Sequence, residues 1–251
     1  MLATVVDGRG RPIVDIEADD VVVRETGQSR DILAVRVADY PIAVVLDNGP
    51  GGARDLEAIR RAAAWFIGRI GHRPIAIAVA DPPRLIASFD DERAVVLERL
   101  QTIKAGGSSE GLFQAVVTAA RAIQEAGAPF AAILLISAAP VGSTPAGFLT
   151  PILDSLAAVH IVVNGNPPGD ASDPRARPLE TLRTLADQTR GELTVIFSPA
   201  SYQVALDRLA DRLAPELMIE YLVPSASSHG NDVSLGVRIP GARVNAKGVT
   251  R

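Results

Sequence analysis

Runs of uninterrupted apolar residues alternate with segments in which apolar residues recur at helical spacing, and this alternation organises the middle of the chain. Pro41-Ile42-Ala43-Val44-Val45-Leu46-Asp47 has no polar residue before its closing acid, as expected of a strand covered on both faces. Leu56, Ile59, Ala63, Phe66, Ile67 and Ile70 then share one helical face, and Gly71 marks its end. The pattern repeats. Strands are predicted at Ile75–Ala80, Leu85–Ser88, Ala132–Ser137, His160–Val163 and Leu193–Ile196. Helices are predicted to carry Val96, Leu100 and Ile103, then Leu112, Val116, Ala119, Ala120 and Ile123, then residues 146–157, Leu179, Leu182 and Leu185, and finally Val204, Leu209 and Leu213. Asp90 is expected to cap the second of these helices.

The two ends read differently. Thr4–Val6, Asp20–Glu25 and Ile32–Val37 have strand character with turn signals at Asp7-Gly8 and Thr26-Gly27. Leu217–Val223, Val233–Ile239 and Ala242–Asn245 repeat that character at the other end. Neither set can bury a face alone, so the two are expected to pair. The fold class that follows is α/β: a doubly wound, mostly parallel sheet flanked by helices, with a small antiparallel β-domain built from both chain ends. The expected domains are residues 40–214, and 1–39 plus 215–251 as a sandwich-like β-domain.

Composition narrows the chemistry. Of 251 residues, 47% are hydrophobic but only 4% are aromatic, so the core is aliphatic. The formal net charge of -4 is interspersed, with no basic field for nucleic acid and no like-charge tail. The absence of cysteine excludes disulfides, thiolate metal sites and cysteine nucleophiles. No apolar run reaches the roughly 18 to 20 residues of a membrane span, so no membrane insertion is expected. Residues 1–6 carry no signal-peptide pattern; a signal upstream of Met1 would lie outside this sequence.

Chemistry is expected at the carboxyl ends of the parallel strands, where open sheets bind ligands. The turn after the first parallel strand is Asp47-Asn48-Gly49-Pro50-Gly51, and a second flexible loop is Ala105-Gly106-Gly107-Ser108-Ser109-Glu110-Gly111. Neither matches a dinucleotide or nucleotide-binding glycine pattern, and no nucleophile elbow is present. His72, His160 and His229 have no metal-ligand spacing and are assigned structural roles. Trp65 is expected in the core or in helix packing, and Arg54, Arg60, Arg61 and Arg69 on a solvated face or as a rim for an acidic partner.

The buried strand ending in Asp47, the Gly-Gly-Ser loop before a helix and the strand Ile133-Leu134-Leu135-Ile136-Ser137 resemble the von Willebrand factor type A (vWA) domain over residues 41–213. The flanks, including Asp19-Asp20-Val21-Val22-Val23-Arg24-Glu25-Thr26-Gly27 and Tyr221-Leu222-Val223-Pro224, look like those of bacterial vWA-related proteins, many of them exported. The resemblance implies an extracytoplasmic location where a signal preceded the chain, and a cytoplasmic one otherwise.

The family carries a metal-ion-dependent adhesion site, with Asp-x-Ser-x-Ser after the first strand, a Thr in the glycine loop and an Asp after the fourth strand. Mg²⁺ wants six oxygens in tight octahedral geometry. Here Asp47 matches the first acid, but Gly49 and Gly51 stand at the two Ser positions, Ser109 or Glu110 at the Thr, and Ala138 and Ala139 where the second acid belongs. The resemblance therefore implies a non-enzymatic, metal-independent module that binds another protein through Asp47, Asn48, Gly49, Gly51, Ser108, Ser109 and Glu110, with Asp47 an acceptor for loop amides or a helix cap. Two alternatives stay open: adhesion through Mg²⁺ or Mn²⁺ held by Asp47, Ser109 and Glu110, and an enzyme or small-ligand site at the same sheet edge.

Overall fold

The computed structural model describes residues 1–50, 54–108, 110–139, 147–165, 176–223 and 233–248. The chain forms two compact units, Tyr40–Ala210 and the pair of ends Met1–Asp39 with Asp211–Arg251. In chain order the first end supplies β1 (Leu2–Val6), β2 (Val21–Glu25), β3 (Gln28–Arg30) and β4 (Ile32–Val37). The larger unit follows with β5 (Ile42–Leu46), α1 (Leu56–Arg69), β6 (Ile75–Ala80), β7 (Pro83–Ala87), α2 (Arg93–Gln101) and α3 (Leu112–Ala126). It continues through β8 (Ala132–Ser137), α4 (Leu149–Asp154), β9 (Ala158–Asn164), α5 (Ala176–Gln188), β10 (Glu192–Ile196) and α6 (Ser201–Leu213). The second end adds β11 (Leu217–Tyr221), β12 (Val233–Val237) and β13 (Arg243–Gly248).

The larger unit is built on a six-stranded sheet in the order β10-β9-β8-β5-β6-β7. All neighbouring pairs are parallel except β6 with β7. Every side chain of β5, β6 and β8 is buried, which explains their unbroken apolar runs. Ala43, Val45, Ile133, Leu135, Val159 and Ile161 face one side and form a single cluster with apolar residues of α3 and α5. The alternate residues Ile42, Val44 and Leu46 face the other way and are fully buried. Ile59, Phe66 and Ile67 of α1 and Val96 and Leu100 of α2 are buried outside that first cluster. The chain leaves β5 for β6 on one side and later returns to β8 on the other. The order of the strands therefore reverses at the carboxyl end of β5, where doubly wound sheets open a crevice.

The smaller unit pairs the chain ends. A four-stranded antiparallel sheet runs β13-β1-β11-β4 and a three-stranded one runs β12-β2-β3. Met1, Ala3, Val5, Val21, Val23, Leu217 and Ile219 share its core, so each end supplies the apolar face that the other lacks. A buried ion pair, Arg30 to Glu25 at 3.0 Å, ties the β2–β3 hairpin.

One local expectation needs correction and another is narrowed. Asp90 does not cap α2. Glu92 occupies the cap position without a side-chain bond, and Asp91 instead accepts from the Ser88 backbone N–H at 2.7 Å and from Arg99 at 2.8 Å. Trp65 is not in the core: it is 56% exposed, one position off the apolar stripe of α1, and its indole N–H donates to Asp207 of α6 at 2.7 Å. It serves helix packing. The same carboxylate accepts from Arg69 at 3.0 Å. Burial works to raise the Asp207 pKa, but the bonds from Arg69, Trp65 and Gln203 outweigh it and hold the group below its ordinary value.

Candidate functional site

Register decides what meets at the switch point. Leu46 of β5 is paired with Ile136 of β8, so the next two residues, Asp47 and Ser137, lie side by side on the same face. The Asp47 backbone N–H continues the ladder to the Ile136 carbonyl at 2.9 Å. The Asp47 side chain, only 3% exposed, is held at both oxygens. Its Oδ1 accepts from the Gly49 backbone N–H at 3.0 Å, and its Oδ2 accepts from the Ser137 hydroxyl at 2.8 Å. That hydroxyl also lies 2.7 Å from the Ala139 carbonyl. With one proton to give, it favours the carboxylate, where the bond is charge-assisted.

Further buried polar groups gather behind this pair. The Tyr202 phenol of α6 is fully buried and donates to the Ser137 carbonyl at 3.0 Å. Burial, followed by the nearby carboxylates of Asp55 and Asp47, raises its pKa above the ordinary tyrosine value. Asp55, the residue before α1, is itself buried and accepts from the Asn164 amide at 2.8 Å.

Asn48 joins the turn to the neighbouring loops. Its side-chain carbonyl accepts from the Asp81 backbone N–H at 2.8 Å, and its amide donates to the carbonyls of Asp81 at 2.7 Å and Lys104 at 3.1 Å. The Asn48 carbonyl accepts from Gly106 N–H at 2.6 Å. Asp81 in turn accepts from the backbone N–H groups of Gly107 at 2.5 Å and Ser108 at 2.9 Å. This close approach requires glycine: a Cβ on Gly106 would lie 2.4 Å from Asp81 Oδ2, and one on Gly111 only 2.1 Å from the Ala80 carbonyl. Arg60 of α1 also braces this region, donating to the Gln101 and Ile103 carbonyls at 2.9 and 3.0 Å.

The residues singled out from sequence thus fall into two groups. Asp47, Asn48 and Gly49 are buried, and the two side chains bond within the unit. Ser108 is half-buried and Glu110 exposed, with the Glu110 N–H facing the Ser108 hydroxyl at 3.2 Å. Gly51 and Ser109 lie outside the described residues, as do most of the loops at 138–146 and 164–178. Ser137, Tyr202, Asp55, Asn164 and Asp81 join this network without a shared signal in the sequence: the register of β5 on β8 brings in Ser137, that of β5 on β6 places Asp81, and Tyr202, Asp55 and Asn164 come from other elements.

Among the described residues few oxygens stand at the positions of the family's metal pattern. Position 49 has no side-chain oxygen, each Asp47 oxygen accepts one hydrogen bond from within the unit, and the Ser137 hydroxyl is one of the two donors. Among the described residues no three His, Asp or Glu side chains group as metal ligands. No described helix is long and apolar enough to cross a membrane.

No protein-family model matches the sequence, and neither does any curated protein. Solved structures match in fold. A von Willebrand factor type A protein from Catenulispora acidiphila aligns with a TM-score of 0.52 and 16% identity, over 84% of this chain and 49% of that one. The chain thus spans about half the length of that relative. The vWF domain of a type V pili tip protein from Porphyromonas gingivalis gives 0.53 and 10%, over 70% of this chain and 95% of its own. The pilus adhesin SpaC from Lactobacillus rhamnosus GG gives 0.54 and 10%, over 78% and 34% respectively. At these identities the likeness is one of fold.

Proposed function

We propose that this chain, which has the von Willebrand factor type A fold, is a non-enzymatic protein-interaction module of the adhesive kind that docks its partner without a metal ion. The observation that carries the proposal is the hydrogen bonding of Asp47, whose two oxygens accept from Gly49 and Ser137 within the unit. The fold-mates that are a pilus tip protein and a pilus adhesin support an adhesive role, and this step is an analogy of fold. The docking surface is the rim at the carboxyl ends of the parallel strands. Glu110 and Ser108 contact the partner there, while Asp47 and Asn48 act from beneath by fixing the turn and loop.

Thermal unfolding in chelator and in millimolar Mg²⁺ or Mn²⁺ tests the metal half of this reading. The expected result is the same melting temperature in all three. A metal-dependent rise that disappears in Asp47→Ala overturns it. Partner capture from the native source, with and without chelator, tests the other half. Capture is expected to survive chelator and to be lost in Glu110→Lys; capture that Glu110→Lys leaves intact removes the rim from the proposal.

A further inference from the structure

Beside the Asn48 turn lies a cleft of about 300 Å³, lined in part by Asn48, Asp81 and Gly106 of the network above. Val79, Ile86 and Ile103 give it apolar walls, and Arg84 and Lys104 stand on its lining. Among the described residues neither cation has an ion-pair partner, whereas the nearby Arg60 and Arg99 pair with Glu57 and Asp91. The one acid lining the cleft is Asp81, whose Oδ2 accepts from two loop amides. The charged lining therefore comprises two cations without an ion-pair partner and one acid whose Oδ2 is taken by loop amides, a net charge of one positive unit.

Both cations are mounted on braced backbone. Arg84 sits in β7 opposite Val79 of β6. The Lys104 carbonyl accepts from the Asn48 amide, and Arg60 holds the residues just before it. The backbone around the two charges is thus ordered in advance, which lowers the cost of binding. A guanidinium offers two parallel donors to a carboxylate, and an ammonium adds a third. Apolar walls suit the stem that bears the carboxylate. The volume lies at the low end for ligand pockets and suits one or two side chains rather than a cofactor.

The geometry points to a carboxylate-binding cleft, formed by Arg84 and Lys104 over Val79, Ile86 and Ile103, that receives an aspartate or glutamate side chain of a protein partner. The chemistry of the cleft stands by itself. The protein source of the carboxylate rests on the reading of this sheet edge as a docking surface, because Asn48 and Gly106 belong to both the edge and the cleft.

Amide chemical shifts of the ¹⁵N-labelled full chain test this with three probes: the blocked pentapeptide Ala-Leu-Glu-Leu-Ala, its glutamine counterpart, and succinate. The glutamate peptide is expected to move amides of residues 79–86 and 102–107, and the glutamine peptide to bind about tenfold more weakly, the loss of one charge-assisted contact. Arg84→Gln with Lys104→Gln should weaken the glutamate peptide by about the same factor. Arg61→Gln, an exposed cation elsewhere on the unit, should not. Raising the salt concentration should weaken binding as well. Equal binding of the two peptides overturns the proposal, as does binding indifferent to the double variant or no response to any probe. If succinate binds at these residues and the glutamate peptide does not, the cleft takes free small anions and the proposal falls. None of these outcomes bears on the metal and capture tests of the docking rim, so the two readings can fail separately.

Discussion

Truncating Ser137 to alanine isolates the bond that closes the Asp47 network. The donor–acceptor distance is 2.8 Å, Ser137 is fully buried and Asp47 is 3% exposed, so water cannot replace the lost donor. A hydrogen bond to a charged group contributes about 1.5–3 kcal/mol, and leaving a buried acceptor short costs a similar amount. Asp47 keeps the Gly49 donor, which places Ser137→Ala near the middle of that range, about 2 kcal/mol less stable. For a unit of this size that corresponds to a fall of about 4–8 °C in melting temperature. The single tryptophan, Trp65, lies in the same unit, so its fluorescence follows urea unfolding of that unit. The assay is a double-mutant cycle with Asp47→Ala. If the two side chains stabilise each other, the combined loss falls short of the sum by about 1–2 kcal/mol at an unchanged denaturant slope. A Ser137→Ala variant within about 0.5 kcal/mol of the parent refutes the reasoning, and so does additivity within that margin.

The remaining predictions concern the same region. Tyr202→Phe should alter the alkaline limb of stability. The phenol pKa is raised in the folded state, so its contribution is complete below the ordinary value of about 10 and is lost as pH rises towards the folded value, at up to about 1.4 kcal/mol per pH unit. The stability gap between parent and variant should therefore shrink above about pH 10; a gap constant between about pH 8 and 11 refutes the assignment. Asn48→Ala removes one acceptor and two donors and should cost about 2–4 kcal/mol while the Asp81 amide loses its protection from hydrogen exchange. Unchanged protection there would mean that Asn48 does not join the loops. Gly111→Ala puts a Cβ 2.1 Å from the Ala80 carbonyl and should destabilise by at least about 2 kcal/mol by urea unfolding; a neutral result would mean that the loop yields freely.

Much of this architecture is legible without coordinates because the signals are local. A strand buried on both faces must be apolar at every position, and β5, β6 and β8 are. An amphipathic helix must repeat its apolar residues about every 3.6 positions, as α1 and α3 do. That neither end could bury a face alone also follows from counting strands. Trp65 marks a limit of such reading. Its apolar neighbours Phe66 and Ile67 point to the core, but the rotation of a single residue along the helix carries it outward to Asp207.

The turn after β5 divides the same way. That Asp47 lacks side-chain oxygens at positions 49 and 51 is a property of the sequence. What replaces them is not, because Ser137, Tyr202, Asp55 and Asn164 come from separate segments of the chain and carry no shared spacing. Only the pairing of Leu46 with Ile136 sets Asp47 beside Ser137, and a slip of one residue would have turned the two side chains to opposite faces. The cleft formed with Arg84 and Lys104 arises likewise, from β7 folding back on β6 and from Asn48 holding the loop that follows α2. The kind of element is set by neighbours a few residues away; the partners of a buried polar group are set by register, which only the assembled sheet defines.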